Sequence, residues 1–290
     1  MVDNVFIFGD SFMYGEESEQ HEFDQEQFLQ EMAEVIGRPV VKLTKTGRPS
    51  TALNAKEIEK YKEWFINKCC KAGLTPQYNS IGAMIARKVN APYVMKALSG
   101  NSNNSIYKTF LDCLPDMTSD SLVVFGISQP NRKTYYDKWT AGHQSTHITN
   151  CWATIDSQKD YIKFTELDMM YGDDVTAQVL STYSFITSVK QLSPCPVLLI
   201  DPFHNFCDNK YHPDVPWDYV KKYTDDWDNY NHKKLLEYLE KEFKNLFTYG
   251  ISEVFEEVTA NGLPLHCING HYSKYVYELY VDKVLMKDVN

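Results

Sequence analysis

The run Val5-Phe6-Ile7-Phe8, followed at once by Gly9-Asp10-Ser11, limits the folds open to this chain more than any other stretch. Four large apolar residues cut off by turn formers predict a short strand buried on both faces, the pattern of a parallel sheet. Ligands of open α/β sheets bind beyond the carboxyl ends of the strands, and Ser11 stands at such an end. Gly9 permits a sharp turn, after which the N–H of Ser11 is placed to face a developing negative charge. Gly, Asp and Ser are also ordinary turn residues, so on this stretch alone a plain strand-to-loop turn stays open beside a nucleophile. Asp10 reads as the cap of that turn.

Strand and helix signals alternate along the rest of the chain. Apolar runs predict further strands at 39–44, 91–98, 122–127, 195–202 and 246–249. Helical spacing predicts helices at 23–36, 56–72, 78–89, 175–192 and 231–243, with a last one opening after Asn269-Gly270-His271-Tyr272-Ser273. Such alternation requires a mainly parallel sheet with helices on both faces, a three-layer α/β/α sandwich. At 290 residues one domain accommodates it, with insertions at about 16–77 and 133–174. The acidic stretch Glu16–Glu22 and the charged helices behind it read as a solvated face. The second insertion is irregular and aromatic-rich, with Trp139, Trp152, His143 and His147.

Composition excludes several classes. A net charge of −10 without a basic segment argues against a nucleic-acid partner. Seven cysteines without CxxC spacing fit neither a disulfide scaffold nor a zinc module. His204, His212, Asp201, Asp208 and Asp214 share a loop region but lack HxH or HExxH spacing, so no metal site is expected. Neither a Walker A loop nor GxGxxG is present, and no cofactor is expected. No signal peptide or membrane span precedes Val5, which predicts synthesis in a cytoplasm and no membrane partner.

Three strand ends carry small polar residues: Gly9-Asp10-Ser11, Gly100-Asn101-Ser102-Asn103 and Gly126-Ile127-Ser128-Gln129. A polar loop with His271 precedes the last helix. In a parallel sheet these ends share one edge, the arrangement that a nucleophile, its base and its oxyanion donors require. The residues here resemble the SGNH (GDSL-type) hydrolases, and among them the divergent members encoded by tailed bacteriophages. Phe6–Phe12 is similar to the block that holds the serine, Leu98–Ile106 to the block whose glycine donates to the oxyanion, and Asn269–Ser273 to the block of the histidine.

The resemblance implies a flavodoxin-like fold and a serine esterase or deacetylase acting on an acyl ester, with an O-acetylated glycan as the substrate suggested by the phage members. It implies Ser11 as nucleophile, His271 as base, and the N–H groups of Ser11 and Gly100 as oxyanion donors. Two positions depart from the family pattern. Pro130 stands where the third block has its amide, leaving Gln129, Asn131 or Asn103 as the candidate donor. Ile268 stands where the acid is expected, three residues before His271, leaving Asn269 to orient the imidazole or Asp201 to serve as substitute acid. His266 is the competing base. The departures also keep open a second reading: a virion-associated or host-interaction protein, self-association included, that retains the fold but not the turnover.

Overall fold

The computed structural model describes residues 2–15, 18–40, 54–75, 77–98, 101–128, 132–137, 142–147, 175–202, 232–247, 250–267 and 271–285. Its packing divides the chain into two compact units, each assembled from separated stretches: residues 1–10 with 94–252, and residues 11–93 with 253–290.

The first unit holds the sheet. Strands β1 (Asn4–Phe8), β2 (Tyr93–Met95), β3 (Ser121–Gly126) and β6 (Val197–Ile200) lie in the order β2-β1-β3-β6. β1 pairs parallel with β3, Phe6 opposite Val123, and β3 pairs parallel with β6, Phe125 opposite Leu199. Beyond β2, Lys96 N–H donates to Ile7 O and Leu98 N–H to Gly9 O, so both chains advance together. The architecture is α/β, a four-stranded parallel sheet flanked by helices, and its order begins as the flavodoxin-like order does.

Period-two alternation sorts the strand side chains. Phe6, Phe8, Val123 and Phe125 enter one core with Ile106 and Phe110 of α5 (Asn103–Cys113), Val179 and Ile186 of α6 (Val175–Leu192), and Leu236 and Phe243 of α7 (Lys233–Leu246). Phe8 and Phe125 both meet the Phe110 ring edge-on, a preferred aromatic geometry. Val5, Ile7, Leu122 and Val124 on the other face are equally buried. Continuous apolar runs therefore reported a sheet covered on both sides.

One predicted strand differs from expectation, and another lies mostly outside the described residues. At 39–44 only Pro39 and Val40 are described, and neither is in a strand. Leu246, expected to begin a strand, ends α7, and Phe247 N–H donates back to Phe243 O. The amphipathic repeat of α7 extended one turn further and took the aromatic run with it. The 133–174 stretch contributes an antiparallel hairpin, β4 (Arg132–Asp137) with β5 (Gly142–His147); the rest of it lies outside the described residues.

The second unit is helical. Its elements are the single turn α1 (Ser11–Tyr14), a tight turn at Ser18–Glu22, α2 (Gln25–Ile36), α3 (Ala55–Lys71), α4 (Ile81–Lys88), α8 (Phe255–Ala260) and α9 (Lys274–Tyr280). α2 and α3 share a small core of Phe28, Met32, Ile36, Tyr61, Phe65 and Cys69. No helix among the described residues is long and apolar enough to cross a membrane.

Candidate active site

Ser11 is the first residue of α1, and its backbone begins that helical turn directly after Asp10. The strand stops where it does because Gly9 takes φ +152°, a conformation that a side chain would strain. Phe12, the next residue, lays its ring against the imidazole of His271, with centroids 5.0 Å apart, and against Tyr272 at 5.2 Å. The residue beside the predicted nucleophile thus touches the predicted base, although 259 positions separate Phe12 from His271 in the sequence.

Backbone pairing fixes His271. Its carbonyl accepts from Cys267 N–H at 2.7 Å, and Ser273 N–H donates to Leu265 O at 2.9 Å. His266 and Tyr272 form an antiparallel bridge, their rings 5.2 Å apart. His266 is therefore placed against Tyr272, whereas His271 is the histidine in contact with Phe12. The Ser273 hydroxyl donates to Pro264 O at 2.5 Å, anchoring the start of α9. Asn269 and Ile268 lie outside the described residues, as do Gly100, Gln129 and Asn131.

In the sheet unit the strand ends are joined by a buried polar network. Ser128, fully buried after β3, donates its hydroxyl to Asp10 Oδ2 at 3.1 Å. Asn103 at the start of α5 accepts from Ser128 N–H at 2.6 Å and donates Nδ2 to Ser128 O at 2.9 Å and Thr182 Oγ1 at 3.3 Å. Both hydrogens of that amide are engaged, so Asn103 braces α5 against β3 and α6 and reaches an oxyanion only by releasing Ser128 O or Thr182. Asn101 donates to Gly9 O at 3.3 Å, holding the turn from the other side. Asp10 thus accepts a hydrogen bond from a neighbouring strand's serine, a long-range tie that reading it as a local turn cap did not foresee. Asp201 follows β6 directly and is fully buried.

The Ser18–Glu22 turn corrects the expectation of a solvated acidic stretch: Glu19 is fully buried and His21 nearly so. Glu19 Oε1 accepts from Asn79 N–H at 3.0 Å. Burial nevertheless pushes the Glu19 carboxyl up to about 7. Burial, with the Lys274 cation adding to it, brings His21 down to about 4. Glu22 Oε1 accepts from Lys274 Nζ at 2.8 Å and from Asn79 Nδ2 at 3.0 Å. Burial alone would raise Glu22, but these two hydrogen bonds hold it below the usual carboxylate range. The composition of the stretch concealed this cluster, because its partners lie about 60 and 250 residues away. Among the described residues no group of three or more His, Cys, Asp or Glu is arranged to hold a metal.

No family model and no curated protein matches the chain. Solved structures do. A carbohydrate esterase whose active site displays divergent catalytic and non-catalytic binding functions is similar at 11% identity and TM-score 0.38, over 99% of this chain and 68% of that one. A family two carbohydrate esterase from Clostridium thermocellum, in complex with cellohexaose, is similar at 12% identity and TM-score 0.36, over 98% of this chain and 63% of that one. The likeness is distant, and this chain spans about two thirds of the length of the solved chains.

Proposed function

We propose that the chain is a serine esterase of SGNH type, with Ser11 as nucleophile and His271 as general base. The observation that carries this reading is the contact of the Phe12 ring with His271, since Phe12 is bonded to Ser11 and the two lie in one compact unit. In the proposed reaction His271 takes the proton of the Ser11 hydroxyl as its oxygen attacks the acyl carbonyl. The tetrahedral oxyanion is held by the N–H groups of Ser11 and Gly100, with Gln129 or Asn131 as side-chain donor. His271 then returns the proton to the departing alcohol, and water releases the acyl group by the same steps. No cofactor enters the scheme. O-acetylated carbohydrates are the first substrates to test, a class suited to the aromatic residues Trp139 and Trp152 of the second insertion.

The charge on His271 needs a carboxylate, and Asp201 is proposed for it, with Asn269 as the neutral alternative. Replacing a triad carboxylate with its amide costs roughly 10⁴-fold in a serine protease. Asp201→Asn is therefore expected to lower p-nitrophenyl acetate hydrolysis far more than Asn269→Ala. The decisive comparison is Ser11→Ala, expected to abolish both hydrolysis and labelling by a fluorophosphonate probe. Equal hydrolysis by wild type and Ser11→Ala would refute the esterase. A folded wild type that neither hydrolyses nor labels favours the second reading, a protein that keeps the fold without turnover, for which Ile268 at the expected acid position speaks.

A further inference from the structure

The groups at Ser18–Glu22 reach both sides of the proposed site. Toward Ser11, the Ser18 N–H and hydroxyl both bond Gly15 O, at 3.1 and 2.7 Å, so the turn is tied to the residue that follows α1. Gln77 donates to the Tyr14 hydroxyl at 2.5 Å, and two residues later Asn79 bonds Glu19 and Glu22. Toward His271, Glu22 holds Lys274, the first residue of α9, and the His21 ring lies 5.4 Å from that of Tyr275. Lys274 Nζ also stands 5.4 Å from the Tyr275 ring. The Glu22–Lys274 pair is largely covered, at 29% and 15% side-chain exposure, so water screens it less than an exposed pair.

We infer that Ser18–Glu22 is a positioning clamp that ties the helical turn beginning at Ser11 to the helix start that follows His271, with Glu22 and Lys274 as its positioning residues. This rests on the esterase reading and adds to it the device that sets the approach of base to nucleophile. An ion pair bonded through Asn79 to the chain that also holds Tyr14 has little purpose on a solvated face. Within a site that must keep two side chains in register, it fixes the distance between their backbones. Displacement of a reacting group by about 1 Å costs on the order of 10²-fold in rate, which is the scale of control such a clamp exerts.

The test compares wild type with Glu22→Gln, Lys274→Met and Lys274→Arg, and uses Lys68→Met as control, because Lys68 forms a 2.8 Å pair with Glu31 on α2 and α3. Two quantities are read: kcat and KM on p-nitrophenyl acetate, and the His271 ring signals in proton–carbon NMR spectra. Glu22→Gln and Lys274→Met are expected to lower kcat about 10- to 100-fold with KM little changed, and to shift the His271 signals. Lys274→Arg, which can keep the pair, is expected to restore both, and Lys68→Met to alter neither. Unchanged His271 signals in Glu22→Gln and Lys274→Met overturn the clamp, whatever the activity. Activity that Ser11→Ala does not remove overturns the esterase instead, and the His271 spectrum still decides whether the clamp holds the histidine. If Lys274→Met does not fold, Glu22→Gln against Lys274→Arg gives the same decision.

Discussion

Glu19 and His21, two residues apart and both buried, are perturbed in opposite senses, and their effects on stability cancel over a defined interval. Glu19 is raised from 4.5 to about 7, so its contribution is complete below pH 4.5 and lost as the pH climbs to about 7. His21 is lowered from 6.5 to about 4, so its contribution is complete above pH 6.5 and lost as the pH falls to about 4. Between 4.5 and 6.5 the folded protein carries one proton on Glu19 while the unfolded chain carries one on His21. The proton counts match, and this pair leaves stability flat. Glu19→Gln is expected to expose the histidine term, a fall on the order of 3 kcal/mol from pH 6.5 to 4. His21→Phe is expected to expose the opposite fall, of similar size, from pH 4.5 to 7. Urea unfolding at stepped pH reads both, and flat profiles in the two variants would contradict the assignment. Gly15 supplies a second residue-scale prediction. It takes φ +72°, and a Cβ there would stand 2.7 Å from the Ser80 Cα, which is backbone and cannot swing aside. Gly15→Ala is expected to cost roughly 2–4 kcal/mol, read as a lower urea midpoint, and to reduce Ser11 labelling. Ser11 and His271 are expected from the sequence because each stands in a motif. Glu19 and His21 stayed hidden, because local composition cannot report a burial created by distant chain.

At the level of elements, legibility followed periodicity. α3 was visible because Ile58, Tyr61, Phe65 and Ile66 recur at helical spacing ahead of Gly73; the structure adds a reciprocal cap, Asn54 Oδ1 accepting from Glu57 N–H at 3.1 Å and Glu57 from Asn54 N–H at 2.8 Å. Arg38 binds the same Glu57 carboxylate through two nitrogens and, with the Asn54 N–H, draws it down to about 2. Asn54→Ala is expected to destabilise the protein by about 1 kcal/mol, measured by thermal unfolding, with no change in esterase rate. α8 escaped notice because six residues are too few to show a helical period. β4 and β5 escaped because Arg-Lys-Thr-Tyr-Tyr-Asp and Gly-His-Gln-Ser-Thr-His contain no apolar alternation. The expected strand near 246 failed for the converse reason: aromatic and β-branched residues suit a strand, but Phe243 and Phe247 were already one helical turn apart, their rings stacked at 6.3 Å.

At the level of the whole molecule, the parallel sheet was legible from four apolar runs, whereas the division into two units was not, because it follows no linker or shift of composition. Its borders fall at Asp10–Ser11, Tyr93–Val94 and Ser252–Glu253, inside or beside regular elements. The core on the sheet face of Phe6, Phe8, Val123 and Phe125 lies wholly within residues 6–247. A chain ending at Ser252 is therefore expected to keep the far-UV dichroism of its sheet and helices while losing α8, α9 and His271. It should show no reaction of Ser11 with a fluorophosphonate. Retained labelling in that truncation would mean that Ser11 is activated without the histidine.

The backbone leaves one unit and enters the other at the peptide bond in front of Ser11, and it makes that passage twice more before the chain ends. Neither half can be lifted out as one uninterrupted piece of gene. Moving the two segments that carry Ser11 and His271 onto another scaffold therefore requires three splices at once.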